Sequence, residues 1–140
     1  MIDLETLPPA IALWKRIATN RELHLIDSLI ADDVVFESPV LHTPQVGREL
    51  TRRYLAAAVT VLSGPEARYV NCWLADHSAA LELTTTVEGL SLNVIDVISW
   101  NDDDLVTHFK VFARPAKALQ ALGALMISQL PLEPDAGRAL

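Results

Sequence analysis

Residues 92–100 read LNVIDVISW, an almost continuous apolar run with a single carboxylate, Asp96, near its centre. Alternate residues of a β-strand point to opposite faces, so Asp96 would share its face with apolar side chains: Leu92, Val94, Ile98 and Trp100. The opposite face is also apolar at its centre, where it carries Ile95 and Val97. A strand of this kind is covered on both faces. We therefore expect Asp96 to face a cavity and the other face to meet a partner subunit. The alternative is a strand buried within a monomer.

Three further segments of the chain show the same period of two. They read ARYVNCWLA, AALELTTTV and LVTHFKVFA, and the short stretches DHS, EG and NDDD separate the four strands. Connections of this length join antiparallel strands into hairpins. The last segment alternates clearly, and its predicted inner face carries Leu105, Phe109, Val111 and Ala113. Its predicted outer face carries His108, Lys110 and Arg114.

Apolar residues at helical spacing lie on both sides of these strands. Residues 8–18, the stretch after Asn20, residues 48–62 and residues 115–130 are each predicted to be helical. Between the second and third helices, DVVFES indicates a short strand and PVLHTPQVG a loop. Helices followed by a meander and a closing helix are typical of an α+β domain whose helices cover one face of a curved, mostly antiparallel sheet. We expect one domain over residues 1–140, with an ordered core of residues 8–130 and a loose carboxyl-terminal tail.

The composition excludes several classes of function. The 18 acidic residues exceed the 11 basic ones, and a net charge of −7 disfavours nucleic acids and anionic membranes as partners. The single cysteine, Cys72, excludes an internal disulfide, and the four histidines lack metal-ligand spacing. No glycine-rich loop for a nucleotide is present, so neither a metal nor a cofactor is expected. Without a long apolar run or a signal peptide, a cytoplasmic location is expected.

Three segments carry a resemblance to a known family. They are IADDVVFESP, which runs on to Gly47 and RELTRRYL; VIDVISWNDDDLVTHFKVFARP; and RPAKALQAL at the start of the last helix. In this order the chain resembles the nuclear transport factor 2-like superfamily, within it the SnoaL-like and ketosteroid isomerase-like group, over residues 8–130. The resemblance implies a cystatin-like conical α+β barrel whose open end admits small apolar molecules. Isomerases, cyclases, epoxide hydrolases, dehydratases and non-catalytic proteins share this fold, so it does not imply one reaction.

The catalytic groups of ketosteroid isomerases are only partly matched. The position of their base aspartate corresponds to Ser38, that of their helix tyrosine to Trp14, and that of their strand aspartate to Asp96. A serine does not take a proton from carbon at neutral pH without an activating base. The arginine that limonene epoxide hydrolases place two residues before the strand aspartate is replaced by Val94, and the acid of SnoaL-type cyclases on the last strand is missing. None of these specific mechanisms is therefore expected.

Asp96 remains the candidate catalytic residue. Apolar surroundings raise the pKa of a carboxyl group above its ordinary value, which suits a general acid or base near neutrality. The residues predicted to bind a ligand beside Asp96 are Trp14, Phe36, Ser38, His42, Tyr54 and Trp73. The alternative is a structural aspartate that is hydrogen-bonded to Trp14 or to a nearby backbone group.

Three functions follow from these alternatives. The first is a cofactor-free isomerase, cyclase or lyase that acts through Asp96 on a small apolar, polyketide-, steroid- or terpenoid-like compound. The second is a non-catalytic protein that binds an apolar ligand. The third is a dimerisation domain whose cavity is filled by its own bulky side chains, Trp14 and Trp73 among them. In each case a homodimer through the outer face of the sheet is expected.

Overall fold

The computed structural model describes residues 6–130, so the predicted loose tail lies outside the described residues. Within this range the helices are α1 (Pro9–Asn20), α2 (Ile26–Leu29), α3 (Arg48–Leu62) and α4 (Ala116–Gln129). The strands are β1 (Ile30–Glu37), β2 (Gln45–Val46), β3 (Arg68–Leu74), β4 (Ser78–Val87), β5 (Leu90–Trp100) and β6 (Val106–Arg114). No helix among residues 6–130 is long and apolar enough to cross a membrane.

All six strands belong to one sheet, in the order β2-β1-β6-β5-β4-β3. Strands β3 to β6 form the predicted antiparallel meander, whereas β1 runs parallel to β6 and antiparallel to β2. The register shifts at one point in β1–β6, one in β3–β4 and one in β5–β6. Irregularities of this kind bend a strand and increase its twist, which curves the sheet around the helices. The predicted α+β class with a curved, mostly antiparallel sheet is confirmed.

Strand β5 has the two faces that its sequence predicts. Leu92, Val94, Asp96, Ile98 and Trp100 are all buried, and the four residues between them are half-buried. Helices α1, α3 and α4 cover the buried face through large apolar side chains such as Ile11, Leu55 and Leu122.

Strand β6 departs from strict alternation at its start. Trp100 pairs with Val106 and Ser99 pairs with His108, so Thr107 is an extra residue opposite β5. The bulge places Val106 in the core, whereas Leu105 precedes the strand and is only half-buried. The prediction of Leu105 as a core residue is therefore wrong, because the extra residue reverses the alternation at that end.

Two local predictions before α3 are also wrong. The helix predicted after Asn20 is reduced to a 3-10 turn (Leu23–Leu25) and the four residues of α2, and Asn20 itself ends α1. The loop PVLHTPQVG contains β2, which is only two residues long and pairs with β1. Such a short edge strand forms only because it pairs with β1, and two residues are too few to show the alternation that predicts a strand.

Candidate functional site

A cavity of about 130 Å³ lies between the inner face of the sheet and helices α1, α3 and α4. Its walls are mainly apolar and include Leu55, Val59, Leu83, Phe109, Val111 and Met126. The wall residue Thr19 is exposed and Gly64 is half-exposed, which places the opening between the ends of α1 and α3. An apolar cavity of about 150 Å³ accommodates a benzene molecule. The enclosed space therefore has the size of one small ring.

Asp96 lies in the wall of this cavity and is 5% exposed. The hydroxyl of Tyr69 donates a hydrogen bond to Asp96 Oδ2 at 2.9 Å. The indole N–H of Trp14 in turn donates to the Tyr69 hydroxyl, also at 2.9 Å. Three elements far apart in sequence, α1, β3 and β5, thus build one chain of hydrogen bonds inside an apolar cavity.

Burial dominates the acid–base properties of this chain. Removal from water raises the pKa of Asp96 from 3.8 to about 6, although the hydrogen bonds from Tyr69 and, less strongly, Trp14 lower it. Burial, followed by the negative charge of Asp96, raises the pKa of Tyr69 well above its ordinary value. The Tyr69 hydroxyl therefore keeps its proton, and Asp96 is the group of this chain that changes charge near neutrality.

The comparison with protein families supports the resemblance seen in the sequence. Residues 12–109 match the model of the SnoaL-like domain. The chain belongs to the SnoaL-like family. No curated protein matches this SnoaL-like chain.

Solved structures place the SnoaL-like chain in the ketosteroid isomerase-like group of the nuclear transport factor 2-like superfamily. A steroid delta-isomerase from Pseudomonas aeruginosa is 31% identical, with 84% of this chain and 85% of that chain covered and a TM-score of 0.79. A protein with a cystatin-like fold from Silicibacter pomeroyi DSS-3 is 28% identical, with 90% and 88% covered and a TM-score of 0.82. A polyketide cyclase homologue from Sinorhizobium meliloti shares the fold at 13% identity, with 79% and 99% covered and a TM-score of 0.65.

Tyr69 is the residue of this SnoaL-like site that the sequence analysis missed. It pairs with Leu83, whereas Asn71 pairs with Glu82, so Val70 is an extra residue in β3. A one-residue shift moves every later side chain to the other face of the sheet. Tyr69 therefore points into the cavity and Trp73, four residues later, points outward. The sequence signal for Tyr69 is its position in the alternating strand segment ARYVNCWLA, because a tyrosine on one strand can donate a hydrogen bond to a buried acid on another strand.

The bulge also corrects the prediction that Trp73 is a wall residue. Trp73 pairs with Ala80 and is 54% exposed on the outer face, so it neither lines nor fills the cavity. His42 is exposed in the loop before β2 and is not part of the cavity wall either. Neither side chain is placed to bind a ligand in this cavity.

The remaining predicted ligand-binding residues lie in or directly behind the wall. Trp14, Phe36 and Ser38 line the cavity beside Asp96. The Ser38 hydroxyl accepts a hydrogen bond from the backbone N–H of Val40 at 3.1 Å, so part of its hydrogen-bonding capacity is used within its own turn. Tyr54 packs behind Phe36, with 5.9 Å between ring centroids, and borders a narrow gap beyond Ser38.

No group of three metal-ligating side chains occurs among the described residues. The polar groups of the mainly apolar wall are the Asp96 carboxyl group, the Tyr69 phenol, the Trp14 indole N–H and the hydroxyls of Thr19, Ser38 and Ser63.

Proposed function

We propose that this SnoaL-like protein is a cofactor-free acid–base enzyme for a small apolar molecule that carries an oxygen atom, with Asp96 as the group that exchanges a proton with it. The observation that carries this proposal is the placement of the buried Asp96 in the wall of a mainly apolar cavity that is open at one end. A general acid or base works best when its pKa is close to the working pH. The pKa of Asp96, raised by burial to about 6, meets that condition.

The reaction best suited to this site is an isomerisation next to a carbonyl group. The Asp96 carboxylate takes a proton from the carbon beside the carbonyl, and the resulting acid returns a proton to another carbon of the same molecule. No atom or electron is gained or lost overall, so no cofactor is required. The steroid delta-isomerase of Pseudomonas aeruginosa, at 31% identity, supports an isomerase over a cyclase.

The cavity limits the part of the substrate that is enclosed. A volume of about 130 Å³ holds one ring, so a steroid-, terpenoid- or polyketide-like compound would extend through the opening near Thr19 and Gly64. We therefore expect a small cyclic ketone to be the minimal ligand.

Proton exchange at a bound ketone tests the role of Asp96 without knowledge of the substrate. The protein is expected to accelerate deuterium uptake beside the carbonyl of cyclohexanone in heavy water, as followed by proton NMR. In Asp96→Asn, the acceleration is expected to fall by at least roughly tenfold, since general acid–base groups contribute factors of about 10² to 10⁴ with a good substrate. Asp33→Asn is the matched control, because Asp33 is an exposed acid of β1.

If Asp96→Asn exchanges as fast as the unsubstituted protein, the acid–base role is contradicted. Binding of the ketone without any accelerated exchange would favour the non-catalytic alternative, a protein that holds an apolar ligand. That alternative rests on the same cavity and differs only in what Asp96 does.

The outer face of the sheet favours a second role, in dimerisation. Val70, Trp73 and Phe112 are 46%, 54% and 50% exposed there, and the centre of the face carries Ile95 and Val97. Large apolar patches on a protein surface mark sites of interaction. We propose that a second copy of this chain covers this face.

The charges on this face are compatible with pairing of two identical surfaces. Glu82 on β4 and the basic residues Lys110 and Arg114 on β6 lie on opposite sides of β5. A two-fold axis parallel to β5 places β6 of one copy over β4 of the second copy, so each Glu82 meets a basic strand. Opposite charges at the rim of an apolar interface favour this orientation over others.

Val97→Arg tests the dimer. An unpaired arginine at the centre of the interface costs several kcal/mol, so the dimer dissociation constant is expected to rise by at least about 100-fold. Sedimentation velocity is the measurement, and Thr60→Arg, on the exposed side of α3, is the control that should remain dimeric. A monomeric unsubstituted protein at all accessible concentrations would contradict the proposal.

A further inference from the structure

The opening of the cavity carries an arginine that neutral atoms hold in place. Arg21 follows α1, and its guanidinium donates from Nε to the Ser63 hydroxyl at 2.6 Å and from Nη2 to the Ser63 carbonyl at 3.0 Å. Ser63 caps the carboxyl end of α3 and lines the cavity. These two hydrogen bonds connect the ends of the two helices between which the opening lies. The guanidinium is therefore fixed at the rim, where a ligand larger than the cavity would leave it.

The positive charge of Arg21 is not matched by a carboxylate. The four arginines within α1 and α3 each form an ion pair with an aspartate or a glutamate, whereas Arg21 forms none among the described residues. The acids that follow the two helix ends in sequence are engaged elsewhere. Glu22 pairs with Arg16 at 2.6 Å, and Glu66 accepts a hydrogen bond from the Thr86 hydroxyl at 2.6 Å. A protein with a net charge of −7 thus keeps an uncompensated cation at the rim of its cavity.

Arg21 also keeps the pair of donors that best suits a carboxylate. A guanidinium has five N–H groups in one plane. The contacts with Ser63 use the pair on Nε and Nη2, at the side of the group. The pair at its end, one N–H each on Nη1 and Nη2, is left, and two parallel N–H groups match the two oxygens of a carboxylate. Because Arg21 is exposed, a ligand reaches this pair from the opening.

The backbone at Arg21 is a second sign that the side chain matters. Its φ of 55° and ψ of 38° are left-handed, at the position after a helix where glycine is the usual residue. A Cβ atom in this conformation meets the following carbonyl oxygen, so the turn forms more readily with glycine. The turn therefore does not require an arginine, and the contacts of the guanidinium are what this residue adds.

A further cation lies on the same helix. Lys15 precedes the wall residue Thr19 by one turn of α1, and its Nζ lies 5.9 Å from the ring centroid of Tyr69, another wall residue. Like Arg21, it forms no ion pair within residues 6–130. The α1 side of the cavity is therefore positively charged, which favours an anionic ligand there.

We propose that Arg21 binds a carboxylate of the ligand at the rim, so that the substrate is a cyclic ketone with an acidic side arm. This inference rests on the proposed function, which places the ketone ring beside Asp96. Near neutral pH the Asp96 carboxylate disfavours a second negative charge inside the cavity. The acidic end of the ligand is therefore directed to the rim and the ring to the interior. Arg21 selects and orients the ligand in this way and does not touch the reacting atoms.

Keto acids with arms of different length test the carboxylate site. The probes are cyclohexanones that carry a carboxylate on an arm of one, two or three methylene groups, attached to the ring carbon opposite the carbonyl. Each is compared by calorimetry near neutral pH with its primary amide, which has nearly the same shape but no charge. We expect at least one acid to bind about fivefold more tightly than its amide. This preference is expected to shrink as sodium chloride is added, because salt screens the charge of an exposed arginine.

Substitutions of Arg21 separate recognition of the carboxylate from a merely structural role. In Arg21→Gln, the preference for the acid is expected to disappear while the affinity for the amide changes by less than about twofold. Arg21→Lys keeps the charge without the paired N–H groups, so only part of the preference is expected to remain. Arg68→Gln is the matched control, because Arg68 is an exposed arginine of β3 and should leave the preference unchanged. If Arg21 only connected α1 to α3, its loss would weaken the acid and the amide equally.

Deuterium exchange of the same probes distinguishes this inference from the proposed function. Accelerated exchange without any preference for the acids, or a preference that persists in Arg21→Gln, overturns the carboxylate site and leaves the proposed function intact. A preference that depends on Arg21 without accelerated exchange supports the carboxylate site and contradicts the acid–base role of Asp96. If none of the ketones binds, both proposals are overturned.

Discussion

Phe109→Ala is expected to lower the free energy of unfolding by about 3 kcal/mol or more, within the range of about 3–5 kcal/mol for such substitutions. Phe109 is 1% exposed at the centre of β6, where it pairs with Phe36 on β1 and Ile98 on β5. Its ring and that of Trp14 form a T-shaped pair with centroids 4.8 Å apart, and it packs on Phe36 with centroids 5.8 Å apart. Because one side of the ring lines the cavity and is not packed against other side chains, we expect a loss of stability near the lower end of the range of about 3–5 kcal/mol.

Urea denaturation of Phe109→Ala and Phe112→Ala measures this effect with a matched control. Phe112 lies three residues further along β6 on the opposite face and is half-exposed, so its loss is expected to stay below about 1 kcal/mol in the monomer. Because Phe112 lies on the face proposed to dimerise, its effect should grow with protein concentration, whereas that of Phe109 should not. A loss below about 1 kcal/mol for Phe109→Ala would contradict its central position in the core.

The second large effect concerns pH. The pKa of Asp96 is about 6 in the folded protein, against 3.8 as its ordinary value, because burial disfavours the carboxylate. Well below pH 3.8 both the folded and the unfolded chain hold the proton, so the carboxyl group does not destabilise the folded state. As the pH rises to 6, the unfolded chain releases the proton first, and the folded state loses relative stability until it ionises too.

Asp96→Asn is therefore expected to gain stability relative to the unsubstituted protein as the pH rises. The difference between the two pKa values, at about 1.4 kcal/mol per pH unit, corresponds to a total relative change of about 3 kcal/mol, of which about 2 kcal/mol falls between pH 3.8 and 6. Urea denaturation of both proteins at a series of pH values measures it, since the contributions of other acids cancel in the difference. Asp33→Asn, an exposed acid, should show no such trend. Parallel pH profiles for Asp96→Asn and the unsubstituted protein would mean that Asp96 is not a buried acid.

Together these two measurements would separate two effects of the site on the stability of the fold. Phe109 stabilises the wall of the cavity by packing, and Asp96 lowers stability near neutral pH. A buried carboxyl group that lowers the free energy of unfolding by a few kcal/mol is a candidate for function. An amide or an apolar side chain at the same position would not destabilise the fold in this way.

Local sequence patterns correctly predict the elements with strong periodicity. Helix α3 has the predicted bounds, Arg48–Leu62, and β5 has its buried face where the alternation around Asp96 places it. Both signals arise from residues within one element, because the spacing of apolar side chains depends only on the period of the local backbone. The same local information placed Asp96 in the interior, whereas the mismatch at Ser38 came from the resemblance to ketosteroid isomerases.

The hydrogen-bond partners of Asp96, in contrast, follow from contacts between distant parts of the chain. Tyr69 is 27 residues away in the sequence and Trp14 lies on another element, so their contacts depend on how the sheet folds against α1. The parallel pairing of β1 with β6 and the extra residue Val70 are likewise invisible to local periodicity. That one residue turns Trp73 away from the cavity and leaves Tyr69 inside it. A bulge is decided by the hydrogen bonds between two strands, and neither strand carries that information alone.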